Sequence, residues 1–170
     1  MPAVFILFGG PAGAGKSSLA SAWCASRDKA AHIELDAIRQ HIVSGLADPQ
    51  DGGATQSEQY DLSVRACCAA GRVFWQAGYD VAIDDVLQRD AFVRVWQPAL
   101  VGLPAKVVIL RPTLEETLRR ATNRSKRVRE DIILTQHAAM EAWPADVCLD
   151  TTGLSVEDSL ALGRERGLLP

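Results

Sequence analysis

The chain has 170 residues, 48% of them hydrophobic and 23% charged, with 21 acids against 18 bases for a net charge of −3. That length suffices for one domain spanning residues 1–170 with a real core, and the charge balance supplies no global basic field to draw the chain to nucleic acid or an anionic membrane. No apolar run is long enough to cross a bilayer, so neither a membrane partner nor a non-specific nucleic-acid partner is expected.

The first element is the apolar run at residues 3–8. It lacks a basic leader and is read as a strand rather than a targeting segment. It delivers the chain to GPAGAGKS at residues 10–17, after which residues 16–26 suit a helix. Gly, four residues, then Gly-Lys-Ser between strand and helix is the pattern of a phosphate-binding loop, spanning residues 9–17. Gly10, Gly13 and Gly15 allow backbone dihedrals that wrap an anion. The amides of Pro11's neighbours Ala12, Gly13, Ala14 and Gly15, and those of Lys16, Ser17 and Ser18, converge at the positive end of the new helix. Lys16 is placed to reach the β- and γ-phosphates of ATP and the Ser17 hydroxyl to sit on Mg²⁺.

The second strand is expected at residues 32–35 and leads into HIELDAIRQ, with a helix at 37–46. Asp36, at the strand end, reads as a helix N-cap and as a general base for a substrate hydroxyl, two compatible roles. Arg39, one turn on, shares that helix face and is placed either for an anionic substrate group or for a pairing with Asp36 or solvent. Residues 47–56, ADPQDGGATQ, read as a polar, mobile loop. A long helix follows at 57–76 and a third strand at 80–83, closed by Asp84 and Asp85. An acid at this point is suited to hold Mg²⁺ opposite Ser17, and Asp84, nearer the strand body, is assigned that role, with Asp85 facing substrate.

A helix is expected at 91–100 with Asp90 as cap, a strand at 106–110, and a helix at 114–123 opened by the capping pair Thr113 and Glu116. Arg119, Arg120, Arg124, Lys126, Arg127 and Arg129 form the densest positive charge of the chain. Arg120, Arg124 and Arg127 are the candidates to close on ATP as a lid at about 120–130 and to neutralise the transferring phosphoryl. A helix at 130–140, a strand at 147–149 and a helix at 156–164, with Ser155 and Asp158 as a weaker cap, complete the reading. The strands are apolar without polar alternation, as in parallel sheets buried on both faces. Alternation of strand and helix predicts a three-layer α/β/α domain with right-handed crossovers and a ligand site beyond the strands' carboxyl ends.

The four cysteines have neither metal-ligand nor disulfide spacing and read as reduced core thiols of a cytoplasmic protein. His32, His41 and His137 form no metal set, and the four tryptophans read mainly as core.

Taken in order, GPAGAGKS, Asp36, IDDV at 83–86, the arginines at 119–129 and LDTTGLS at 149–155 resemble the P-loop kinases of the nucleoside-monophosphate-kinase group. Within it the chain is most similar to chloramphenicol phosphotransferase-like proteins, with gluconate kinases, polynucleotide 5′-kinases and zeta toxins as more distant relatives. The resemblance implies a five-stranded parallel sheet in order 2-3-1-4-5, Asp36 as base, Lys16 and Ser17 on nucleotide and metal, and Thr151 within a segment near the adenine. Residues 40–60 match none of these families closely, so the acceptor does not carry over.

The leading expectation is an ATP- and Mg²⁺-dependent kinase acting on a small-molecule hydroxyl, an antibiotic or a metabolite, as monomer or homodimer. Alternatives are a nucleotide-sugar or polynucleotide 5′-hydroxyl kinase and a non-catalytic nucleotide switch. The chain has no Asn-Lys-x-Asp guanine motif, and a switch leaves Asp36 without a task.

Overall fold

Five short apolar segments build the centre of the molecule. The computed structural model describes residues 2–123 and 127–170. The strands are β1 (Phe5–Gly9), β2 (Ala30–Glu34), β3 (Asp80–Asp84), β4 (Ala105–Leu110) and β5 (Cys148–Leu149). They form one all-parallel sheet in order β2-β3-β1-β4-β5, as expected. β1 is buried along its whole length because it is paired on both edges and covered on both faces.

Strand alternation divides the core. Ile6 and Phe8 pack with Leu19, Trp23 and Leu149 on one face, under α1 (Lys16–Ala25) and α8 (Val156–Glu165). Phe5 and Leu7 pack on the other with Val64, Trp96 and Met140, under α3 (Ala54–Gln76) and the segment after β3. The crossovers thus place helices on both sides and every β-to-α turn at one rim of the sheet.

Local chemistry accounts for several departures from expectation. α2 is short, Leu35–Arg39, and residues 40–46 form turns and bends instead of continuing a helix. Its N-cap is Glu34, without a side-chain cap, so Asp36 lies in the first turn and is not the cap; a carboxylate there still complements the helix dipole. α3 starts at Ala54, so the expected loop at 47–56 gives up its last residues to helix. That loop is also tied down: Gln59 accepts from Ala47 N–H at 2.9 Å and donates to Gly45 O at 2.8 Å.

The helix expected at 91–100 is interrupted. α4 (Arg89–Ala91) widens into a π-helical turn, Phe92–Trp96, before α5 (Gln97–Ala99). Pro98 has no N–H for the carbonyl one turn back and its ring crowds that carbonyl, which favours the wider turn. Asp90 sits inside α4, whose N-cap is Gln88, so it does not cap.

α6 (Leu114–Thr122) and α7 (Glu130–Ala139) complete the helices. Thr113 caps α6 through Glu116 N, but the reciprocal half of the box is missing: Thr113 N donates to Thr152 Oγ1 at 2.8 Å, and the Glu116 carboxylate goes to Arg119 and Arg120. The Ser155–Asp158 cap forms as expected. Among the described residues no helix is long and apolar enough to cross a membrane.

Candidate active site

The loop from Gly10 to Gly15 folds as its glycines require. Gly13 has φ 93°, and a Cβ there would stand 2.5 Å from Thr117 O. Gly10 has φ 142°, and a Cβ there would stand equally close, 2.5 Å, to Leu110 O. Both positive φ and close packing therefore select glycine. α1 opens at Lys16 behind Gly15 with no side-chain cap, which leaves its first amides directed at the cleft. Lys16 is buried, and its Nζ donates to Pro11 O at 3.0 Å, holding the ammonium over the loop. A cavity of about 470 Å³ lies outside, lined by Gly13 to Ser18 and, across from them, Leu110, Arg120, Thr151 and Val156. Its polar loop on one wall and apolar side chains on the other suit a nucleotide.

At the loop's far side, Ser17 Oγ donates to Asp84 Oδ2 at 2.5 Å, and His32 Nε2 lies 2.9 Å from Asp84 Oδ1. β2 and β3 pair in register, so His32, Ala82 and Asp84 share the face that α1 covers. Ser17 and Asp84 present hard oxygen donors to one point, the chemistry Mg²⁺ takes, and in such sites phosphates and water supply the remaining ligands. Among the described residues no group of three or more His, Cys, Asp or Glu gathers to cage a metal unaided.

Asp85, one residue on, turns to the opposite face. Tyr60 OH donates to its Oδ2 at 2.5 Å, and Trp96 Nε1 donates to Tyr60 OH at 2.9 Å, so α3 and the π-turn fix the carboxylate together. Burial raises the Asp85 pKa, opposed first by the Tyr60 hydrogen bond. Burial likewise raises the Tyr60 hydroxyl, with the Asp85 charge adding to it. Leu87 just beyond has φ 40°, a strained value for a non-glycine, where the chain bends away from the site.

Asp36 is exposed to the cleft. It lines a chamber of about 170 Å³ with Lys16, Ser17, Asp84 and Asp85, and a second cavity of about 270 Å³ with Arg39, Tyr60 and Arg94. The first chamber adjoins the phosphate loop through Ala12, Lys16 and Ser17. Arg39 borders that second cavity, but it is buried rather than solvated, and its Nη2 donates to Ala47 O at 2.8 Å.

The arginines separate. Arg120 lines the nucleotide cavity, yet its guanidinium is committed to Glu116 Oε1 at 2.6 Å, Thr151 O at 2.7 Å and Leu154 O at 3.3 Å. Through Ala14 O, at 3.4 Å from its Nη1, it also ties the phosphate loop to residues 151–154. Arg119 and then Arg120 hold the Glu116 carboxyl down to a pKa of about 2. Arg127 borders a different cavity, with Leu118, Ala121 and Ile133. Arg124 lies outside the described residues. His32, Tyr60 and Gln136 belong to the site and carry no sequence motif; only the placement of His32 two residues before the strand end gives a signal, through the period-two rule.

Residues 5–145 match the model of the AAA domain family. The chain belongs to this family. No curated protein matches it at the sequence level. Among solved structures it is similar to a sugar kinase from Janibacter sp., at 17% identity and TM-score 0.73, covering 99% of this chain and 96% of that one. It is also similar to the tunicamycin resistance protein of Deinococcus radiodurans, at 18% identity and TM-score 0.70 over 97% and 96% of the two chains. A gluconokinase from Sinorhizobium meliloti shares 16% identity at TM-score 0.63 over 99% and 95%. Its fold is therefore similar to that of these three structures.

Proposed function

We propose that this P-loop kinase transfers the γ-phosphoryl group of ATP to a hydroxyl of a small molecule, with Asp36 as general base. The observation that carries the reading is Asp36 on the wall shared by two spaces. One holds Lys16, Ser17 and Asp84; the other opens toward Gln56, Ser57 and Gln88. A carboxylate there faces both the donor phosphate and an incoming hydroxyl. The similar structures, a sugar kinase, a gluconokinase and a tunicamycin resistance protein, support a small hydroxylated acceptor.

In this reading the acceptor oxygen attacks phosphorus, the bond from phosphorus to the β–γ bridging oxygen breaks, and ADP leaves with that electron pair. The acceptor's proton passes to the Asp36 carboxylate. Lys16 and the loop amides hold the phosphates, and Asp84, oriented by His32, faces Ser17. Mg²⁺ held by Ser17 and Asp84 would supply charge neutralisation on the phosphates. Asp85, fixed by Tyr60, forms the floor between donor and acceptor and is placed to orient the acceptor. Arg39 supports the acceptor wall through Ala47, and Arg39 and Arg94 are the cations that line this cavity for an anionic substituent.

Asp36→Asn tests the assignment. It preserves shape, and Asp36 is not a cap, so the fold is expected to persist. ATP affinity by calorimetry should stay near wild type, while ADP release with an accepted hydroxyl compound should fall by about 100-fold or more, the scale of general-base loss. Full transfer activity in Asp36→Asn would remove the base role and move it to Asp85.

A further inference from the structure

α7 presents one polar side chain to the cleft that none of the roles above uses. Gln136 Oε1 accepts from the backbone N–H of Ala12 at 2.9 Å. The amide can only donate, so the carboxamide must turn its oxygen toward it. Ala12 is a particular amide of the phosphate loop. Gly13 to Ser18 line the nucleotide cavity, whereas Ala12 lines the adjoining chamber with Lys16, Asp36 and Asp84. It is thus the loop's amide on the acceptor side, where the terminal phosphoryl of a bound triphosphate falls once the other phosphates occupy the rest of the nest. Gln136 borders that chamber and the acceptor cavity beyond it. α7 itself, EDIILTQHAA, carries no lysine or arginine, and its His137 faces Pro112 O at 2.9 Å. A neutral carboxamide is what this helix offers the phosphoryl.

We propose that Gln136 is a positioning residue that reads the terminal phosphoryl: its oxygen occupies the Ala12 amide when only a diphosphate or no nucleotide is bound, and its Nε2 donates to the phosphoryl once a triphosphate takes that amide. The proposal rests on the kinase reading above. Its chemistry is simple. The Ala12 N–H cannot serve the carboxamide and a phosphate oxygen at full strength together, and a carboxamide oxygen facing an anionic phosphoryl is repelled. Rotation of the terminal amide exchanges acceptor for donor without moving the helix. ADP leaves the Ala12 contact in place, so the residue separates donor from product.

The test compares Mg²⁺-supported binding of ADP and of a non-hydrolysable triphosphate analogue by calorimetry, in wild type and Gln136→Glu. Glutamate keeps an acceptor for Ala12 but offers no donor and adds charge. ADP affinity should be unchanged, while the analogue should weaken by about 10-fold or more, the scale of losing a hydrogen bond to a charged group. Equal weakening of both ligands, or of neither, would overturn the proposal. A second measurement stands on its own: in Gln136→Leu the Ala12 amide should exchange faster than in wild type without nucleotide and regain protection with the analogue. Unchanged Ala12 exchange in that variant also overturns it. If wild type binds neither ligand, the kinase reading itself falls, and the proposal with it; if wild type binds both and Gln136→Glu shows no split between them, the Gln136 role alone is removed.

Discussion

Lys16 shows how a charged side chain can be buried and still available. Its ammonium donates to Pro11 O within its own loop and borders the cleft, where an arriving phosphate would offer it a charged acceptor. Lys16→Ala should therefore leave the fold intact and lower phosphoryl transfer by about 10²–10³-fold or more, the scale of removing a preorganised donor to developing charge. Matching melting curves with collapsed turnover is the expected pair of results; wild-type turnover in a folded variant would refute the assignment. At this scale the sequence exposes what alternation and motif can expose. The period of two separates Asp84, facing α1 and Ser17, from Asp85, facing α3 and Tyr60. Motif spacing places Lys16 and Ser17. Tyr60 is not legible as a site residue, and His32 only through its place in the strand, because their partners Asp85 and Asp84 stand far away in the chain and meet them through helix packing and sheet pairing. Arg120 is legible as a cleft residue but not as a brace, since its acceptors are carbonyls of a loop that composition does not fold.

α6 illustrates an element whose ends are predictable and whose internal chemistry is not. Glu116 has the spacing of half a capping box; the structure gives it to Arg119 and Arg120, one turn on, and through Arg120 to the loop at Thr151. The consequence is a pH dependence with a definite sign. The folded Glu116 has its pKa lowered from 4.5 to about 2, first by Arg119, so folding favours the ionised form. Its contribution is complete above the unfolded value of 4.5 and disappears as pH falls from 4.5 through about 2. Glu116→Gln should therefore lower the melting temperature near neutral pH and flatten the acid limb in that window. An acid limb of the same steepness in both proteins would show that Glu116 is not linked to folding. Two other elements depart from their sequence patterns for local reasons. Pro98 turns the helix after β3 into a π-turn, which is how Trp96 reaches Tyr60. Residues 40–46 leave the helix, and the chain there is held by Arg39 donating to Ala47 O and Gln59 donating to Gly45 O, tertiary bonds that a helical pattern does not show.

Across the whole molecule, the sheet order is legible because apolar strands alternating with helices leave few right-handed parallel arrangements, and the family resemblance selects one of them. The cavity beyond Asp36 is not, because its lining comes from α2, α3, the π-turn and α7, which share no local pattern. Arg129 and Gln50 join the two polar, loop-like segments of the sequence across the cleft. Arg129 N donates to Gln50 Oε1 at 3.0 Å and its guanidinium to Gln50 O at 3.4 Å. Val128, Pro49 and Gln50 roof the chamber that holds Lys16 and Asp36. The basic segment after α6 and the loop after α2 are therefore linked over the reaction space, and closure on one should be felt by the other. Saturating ATP–Mg²⁺ should slow amide exchange at residues 127–130, as phosphate charge draws the segment inward, and also at residues 48–51. Gln50→Ala removes the side-chain acceptor of the link; in that variant the slowing at 127–130 should persist while the slowing at 48–51 shrinks. Exchange unchanged in both segments of the wild type would rule out closure. Equal slowing at 48–51 with and without the Gln50 side chain would show that this loop responds to nucleotide by a route that does not need the Gln50 side-chain bond to Arg129 N.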